Sequence, residues 1–215
     1  MAWTRAKTTM VTGGGVWLAV SALTFIVYTL SHLTKVSPPV HLTDIPPDWS
    51  SVTGGRDQWS WTNDTLCAHT TTGDAILAST RQYGDVTLSA MASTTNREAS
   101  LALRFQDADN GYLAVFVPDY TPGAGPGGSR ILLVRRQSGQ EKELAIFKRH
   151  GIAGPGQFEK ITFAAKGSKL EVRLNDVPVI KTNDTAFASG YLGLRAYGDP
   201  NIPCDAVFAN VTIRE

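Results

Sequence analysis

The sequence predicts an all-β domain, a two-sheet antiparallel sandwich, preceded by a single transmembrane helix. Beyond Ser50 the apolar residues recur with period two rather than 3.6. Clusters of Gly, Asn, Asp and Ser cut those runs into short segments. From Thr8 to Thr34 the chain carries no Asp, Glu, Lys or Arg.

The charge-free run comes first in the chain. With Val11 to Gly15, the core from Val16 to Leu30 reaches the ~20 residues needed to cross the hydrocarbon layer. Trp17 and Tyr28 suit the two interfacial belts. Arg5 and Lys7 precede the run, whereas Asp44 and Asp48 follow it with only Lys35 nearby. The positive-inside rule then leaves the N-terminus in the cytoplasm and the large domain periplasmic or extracellular, on an inner or plasma membrane. A cleaved signal peptide is the rival reading, and its best cleavage site, Thr29-Leu30-Ser31, is weak. The expected plan is a cytoplasmic N-terminus at 1–9, a helix at 10–34, a spacer at 35–49 and the sandwich at 50–215. Two Pro-Pro pairs, Pro38-Pro39 and Pro46-Pro47, make the spacer extended and semi-rigid.

The strands follow by alternation. Leu101, Leu103 and Phe105 alternate with Ala102, Arg104 and Gln106. Leu113, Val115 and Val117 alternate with Tyr112, Ala114 and Phe116. Ile161 and Phe163, then Leu170, Val172 and Leu174, continue the pattern. Leu192, Leu194 and Ala196 alternate with Gly193, Arg195 and Tyr197, and Val207, Ala209, Val211 and Ile213 close the chain. Each reads as a half-buried strand. Hairpins are expected at Asp107–Gly111, Lys166–Ser168 and Asn175–Asp176. Tyr120 to Ser129 is too rich in Gly and Pro for a regular element and reads as a mobile loop.

Lys and Arg (20) nearly balance Asp and Glu (19), for a net charge of +1. That argues against nucleic acid as a partner, since phosphate binding needs a basic surplus on one face. The two cysteines, Cys67 and Cys204, have no metal-site spacing. Outside the cytoplasm they could pair; otherwise they are buried thiols. The expectation is a disulfide between an early and a late strand, which a loop of this length makes worth about 4–5 kcal/mol in the chain-entropy model.

Four segments resemble the concanavalin A-like lectin/glucanase domains. Leu103-Arg104-Phe105-Gln106-Asp107-Ala108-Asp109-Asn110-Gly111-Tyr112 is similar to their R-F-x-D-x-x-N-G-Y hairpin. Lys169 to Asp176 is similar to x-L-x-V-x-L-N-G, Gly190 to Leu194 to G-x-I-G-L, and Val207 to Ile213 to F-x-N-V-x-I. The resemblance runs from Trp49 to Glu215 and falls nearest the 3-keto-disaccharide hydrolase-like and laminin-G-like subgroup. It implies a jelly roll with a curved sheet whose concave face binds sugars in relatives. These motifs describe turns and core strands, so they speak for fold more than for function.

The glycosidase branch of that family carries E-x-D-x-x-E on one strand, and this sequence has no such motif. Glu141 and Glu143 share a strand face and read as solvated charges. Carboxylates from separate loops, such as Asp119, Asp199 or Asp205, could still converge. Asp107, Asp109 and Asn110 read as turn residues, because a calcium loop needs more oxygen ligands. His32, His41, His69 and His150 have no metal spacing, and no GxSxG motif supports a serine nucleophile. Asn63, Asn183 and Asn210 match the glycosylation pattern, which matters only in a eukaryotic secretory setting. No catalytic residue, cofactor or metal is therefore expected.

By phase, Arg104, Gln106, Tyr112, Phe116, Arg195 and Tyr197 face away from the core and form the candidate ligand-binding cluster. Aromatic rings stack on sugars and arginines donate forked hydrogen bonds. Against this stands a plain outer face with arginine stems lying over aromatics. The expected function is a non-catalytic interaction module on the outer face of a membrane. It would be an accessory subunit of a membrane complex of respiratory or photosynthetic type, with lipid and other subunits as partners. The alternative is a glycan partner, as a carbohydrate-binding module or a 3-keto-disaccharide or glycoside hydrolase-like enzyme.

Overall fold

The computed structural model describes residues 49–53, 58–62, 65–71, 73–95, 97–118, 129–149, 154, 156–198 and 204–215, the side chains of 61, 62 and 204 excepted. The expected helix at 10–34, its belts at Trp17 and Tyr28, the spacer at 35–48 and the loop at 120–128 lie outside these residues. Among the described residues no helix is long and apolar enough to cross a membrane.

The described chain is fourteen strands. They are β1 (Trp49–Thr53), β2 (Trp59–Thr62), β3 (Thr65–Thr70), β4 (Gly73–Tyr83), β5 (Val86–Thr94), β6 (Glu98–Asp107) and β7 (Asn110–Val117). Then come β8 (Ser129–Gln137), β9 (Gln140–Arg149), β10 (Glu159–Lys166), β11 (Lys169–Leu174), β12 (Val177–Asn183), β13 (Gly190–Gly198) and β14 (Cys204–Arg214). They form two seven-stranded sheets, β1-β4-β13-β6-β7-β8-β9 and β12-β11-β10-β5-β14-β3-β2. Every pairing is antiparallel. The expected sandwich is therefore present. Trp49, assigned to the spacer by sequence, opens β1 and is buried.

Hairpin chemistry is as the sequence indicates. Asp107 faces Asn110 across β6–β7, and Lys166 faces Lys169 across β10–β11. Asn175 and Asp176 both have positive φ, 49° and 67°, as a tight turn between twisted strands requires. Ser138 and Gly139 turn β8 into β9 in the same way, with φ of 53° and 75°.

The core lies between the sheets. Leu77, Leu101, Leu103, Phe116, Leu133 and Leu194 meet Leu66, Leu88, Phe163, Val172 and Phe208. A second apolar cluster of Ile76, Ala78, Ala102, Phe105, Leu113, Val115, Val117 and Val134 alternates with the first along the same strands. It therefore covers the outward face of the β4-containing sheet.

That second cluster corrects three phase assignments. Tyr112, Ala114 and Phe116 point into the sandwich, and Leu113, Val115 and Val117 point out of it. Both sets of β7 are apolar, so alternation alone could not choose the inner one. In β6 the register with β7 breaks between Leu103 and Asp107, where Arg104 has φ 51°. The extra residue resets the phase, and Phe105 turns outward although Leu101 and Leu103 point inward. Asn210, φ 51°, does the same in β14, where Ala206 and Phe208 pack inside before it and Val211 after it.

The expected disulfide does not form. Cys67 is a free thiol. β14 places Val207 opposite Cys67 and Cys204 opposite Thr70, three residues further along. Three residues of strand span roughly 10 Å, beyond the Cα separation of about 7 Å that a disulfide tolerates.

Candidate binding face

The outward face of the β4-containing sheet carries the site. Along β13, Gly193, Arg195 and Tyr197 alternate with core residues and so face outward. Arg195 is nevertheless only 2% exposed, because neighbouring strands wrap its guanidinium in carboxylates. Its Nε donates to Asp74 Oδ1 on β4 at 2.7 Å. Its Nη1 donates to Glu98 Oε2 on β6 at 2.9 Å and lies 3.5 Å from Ser100 Oγ. The guanidinium carbon stands 5.1 Å from the centre of the Tyr197 ring, a cation–π contact.

A second arginine closes the network from the far side of the sheet. Arg136 on β8 donates through Nη1 to Asp74 Oδ2 at 2.5 Å and to the Ala108 carbonyl at 3.0 Å. Its Nη2 donates to Glu141 Oε1 on β9 at 2.6 Å, and Glu141 also lies 3.8 Å from Arg195 Nη2. Asp74 starts β4 and Arg136 ends β8, with β13, β6 and β7 between them. They occupy diagonal corners of the sheet. Their side chains nevertheless meet over the outward face. Ile76, Ala102, Leu113 and Val115 are the buried apolar floor beneath them.

Electrostatics hold this network rigid. Burial alone would lower the Arg136 pKa, but hydrogen bonds to Asp74 and then Glu141 raise it overall, so the charge is permanent. Two guanidinium groups serve three carboxylates, leaving one negative charge in excess. The accessible members are Glu141 and Glu98, with side chains 41% and 28% exposed; Asp74 and Arg136, at 17% and 12%, are mostly covered. Such an edge accepts hydrogen bonds from hydroxyl groups. It is poorly suited to glycosidic cleavage, which needs one carboxyl group kept as a protonated acid beside a free nucleophile or base. Among the described residues no group of three His, Cys, Asp or Glu side chains is placed to hold a metal.

Further along the same strand a cleft of about 260 Å³ opens beside Tyr191. Phe105, Gln106, Val52, Ser50 and Thr80 also line it. Gln106 is locked there, donating to the Arg104 and Ser189 carbonyls. Gly190 is required at this point. With φ 156°, a Cβ would stand 2.5 Å from the Arg104 carbonyl carbon and 2.7 Å from the Phe105 oxygen.

The six residues expected to form one cluster are thus divided. Arg195 and Tyr197 are on the outward face. Gln106 lines the neighbouring cleft. Phe116 sits in the inter-sheet core, 1% exposed. Tyr112 is buried as well, where its hydroxyl donates to Asp184 Oδ1 at 2.6 Å and its ring packs edge-on against Phe187. Arg104, 2% exposed, is a clamp between turns: it donates to the carbonyls of Gly84, Gly167 and Phe187 at 3.2, 2.8 and 3.0 Å. The bulge that reverses its phase takes it off the outward face.

Sequence reading missed Asp74, Glu98 and Arg136, and treated Glu141 as a solvated charge. The register opposes Tyr197 to both Asp74 and Glu98, which no spacing in the chain announces. Glu143, by contrast, makes no part of this network and is exposed. Asp205 pairs with His69 on the other sheet, while Asp119 and Asp199 lie outside the described residues.

No family model matches the chain, and no curated protein matches it. Solved structures do. The carbohydrate-binding module CBM66 from Bacillus subtilis is 23% identical over 78% of this chain and 96% of its own, with TM-score 0.64. A β-glucanase of Bacillus licheniformis is 10% identical, covering 80% and 94%, with TM-score 0.61. A galectin-like protein of unknown function from Bacillus subtilis is 11% identical, covering 82% and 93%, with TM-score 0.59. At these identities the likeness is one of fold: the described chain is a jelly-roll β-sandwich.

Proposed function

We propose that the sandwich is a non-catalytic carbohydrate-binding module whose ligand lies on the outward face, against Glu141, Glu98 and Tyr197. One observation carries this reading: a lattice of two guanidinium groups and three carboxylates, fixed over a buried apolar floor, with acceptor oxygens at its accessible edge. Acceptors held rigid before binding need no reordering when hydroxyls arrive, and Tyr197 offers an aromatic ring beside them. Neighbours in fold that bear the names of a carbohydrate-binding module and a β-glucanase support a sugar as the ligand class. Engagement of each carboxylate by a guanidinium supports binding over hydrolysis.

The charge-free run from Thr8 to Thr34 supports tethering this module to the outer side of a membrane, with the cationic Arg5 and Lys7 left in the cytoplasm.

The test is titration of the full chain in mild detergent with neutral disaccharides and β-glucan oligosaccharides, while sugar release is followed. Saturable binding without release is expected, weakened roughly tenfold by Glu141→Gln. Binding to none of them, or turnover abolished by Asp74→Asn, would overturn the proposal.

A further inference from the structure

A second polar cleft lies on the β8–β9 hairpin, and its chemistry is opposite in sign. Its volume is about 380 Å³, and it is lined by Arg135, Gln137, Ser138, Gln140, Glu141 and Lys142. The ladder sets Arg135 directly opposite Lys142, and Gln137 opposite Gln140. Two cations facing one another across a strand pair repel and weaken the pairing. Only one of them is neutralised by the protein: Arg135 Nη1 donates to Asp184 Oδ2 at 2.9 Å. Lys142 is exposed and has no ion-pair partner among the described residues. The Nε of Arg135 is buried with no hydrogen-bond partner. Glu141, the acid in the lining, is taken by Arg136. Around the cleft three basic groups stand against two acidic ones.

We infer that this cleft receives a carboxylate group of an acidic sugar, a uronate, in an extended glycan. Among the described residues of the cleft, Lys142 supplies the one positive charge left for a carboxylate to neutralise, and Arg135, already paired with Asp184, lies directly opposite it on the ladder. Gln137, Gln140 and Ser138 supply the amide and hydroxyl groups that meet the ring hydroxyls flanking it. A bare anion site would not need three neutral hydrogen-bonding side chains beside its two cations. The inference takes its sugar class from the glycan-binding reading of the outward face; the cleft shares Glu141 with the Asp74–Arg195 network, whereas Lys142 stands outside that network.

The full chain is titrated with oligogalacturonate and, in parallel, with neutral oligosaccharide. Lys142→Glu and Glu141→Gln are the variants, each checked for an unchanged melting temperature. Lys142→Glu is expected to weaken oligogalacturonate binding roughly tenfold or more and to leave the neutral ligand unaffected. Wild-type affinity for the uronate is expected to fall as salt rises from about 0.05 to about 0.5 M. If Lys142→Glu binds oligogalacturonate as tightly as wild type, the inference is wrong even where the neutral ligand binds as proposed. It is equally wrong if inorganic sulfate or phosphatidylserine vesicles bind in a Lys142-dependent manner and oligogalacturonate does not.

Discussion

Arg104 and Arg195 are both 2% exposed, sit on adjacent strands of one sheet, and have the same phase in the sequence, yet they are buried in opposite ways. Three backbone carbonyls, from the turns at Gly84 and Gly167 and the segment at Phe187, take most of the Arg104 donors; Asp85, largely exposed, is the one acid near it at 3.3 Å. Arg195 has carboxylates from three other strands. Carbonyls are structural partners: they belong to the chain wherever it turns, and they cannot leave. Carboxylates at an exposed edge can exchange a guanidinium hydrogen bond for one from water or a ligand. The first arginine therefore ties the sandwich together, and the second organises a surface.

The largest effect follows from breaking the tie. Arg104→Met removes a buried guanidinium that ties three part-buried turn carbonyls together and should cost about 3–5 kcal/mol, read as a lower denaturant midpoint. Arg195→Met should cost less, about 1–3 kcal/mol, because Asp74 retains Arg136 and Glu98 is open enough to hydrate. Equal losses for the two variants would erase the distinction between clamp and surface network.

Tyr112 sharpens the comparison on the clamp side. Burial, and then its hydrogen bond to Asp184, push its pKa from 10.0 up to about 12. The folded state therefore holds the phenolic proton more tightly than the unfolded chain does. Stability from this group is full below pH 10 and falls as the pH rises from about 10 to about 12. Tyr112→Phe should cost about 1.5–3 kcal/mol at neutral pH and remove that part of the alkaline loss. An unchanged alkaline unfolding profile in the variant would count against the Tyr112–Asp184 bond. Asp184 itself is shifted down: burial opposes its charge, but hydrogen bonds from Tyr112, the Ala186 amide and Arg135 prevail. Its contribution is present above the ordinary aspartate range and is lost as the pH falls through the lowered value.

The smallest effect on stability belongs to the site. Glu141 is 41% exposed, so Glu141→Gln should change stability by no more than about 1 kcal/mol. Its melting temperature should stay close to that of wild type while neutral-glycan affinity drops. A large loss of stability would move Glu141 from the binding face to the clamp side of the comparison.

Local patterns carried most of the fold. The alternations around Leu101, Phe163, Val172 and Leu194 became strands, and the clusters at Asp107–Gly111, Gly167 and Asn175–Asp176 became hairpins. They were legible because strand period and turn chemistry depend on neighbours within a few residues. The site was far less so. Of six residues chosen by phase, only Arg195 and Tyr197 stand on the proposed face, and Asp74 and Glu98 went unnoticed.

By itself, then, the sequence determined the strand segments, the tight turns, the sandwich class and the charge-free N-terminal run. Only the tertiary structure decided which face of each strand is inside. On β6 and β7 both faces are apolar, and at Arg104 and Asn210 a bulge resets the phase at a residue other than glycine. It also decided the partners of Arg195, since the sheet order that puts β13 between β4 and β6 joins residues some 100 positions apart. It likewise brought Arg136 on β8 to Asp74 on β4. Register and twist are collective properties of a paired sheet, and no short stretch of sequence encodes them.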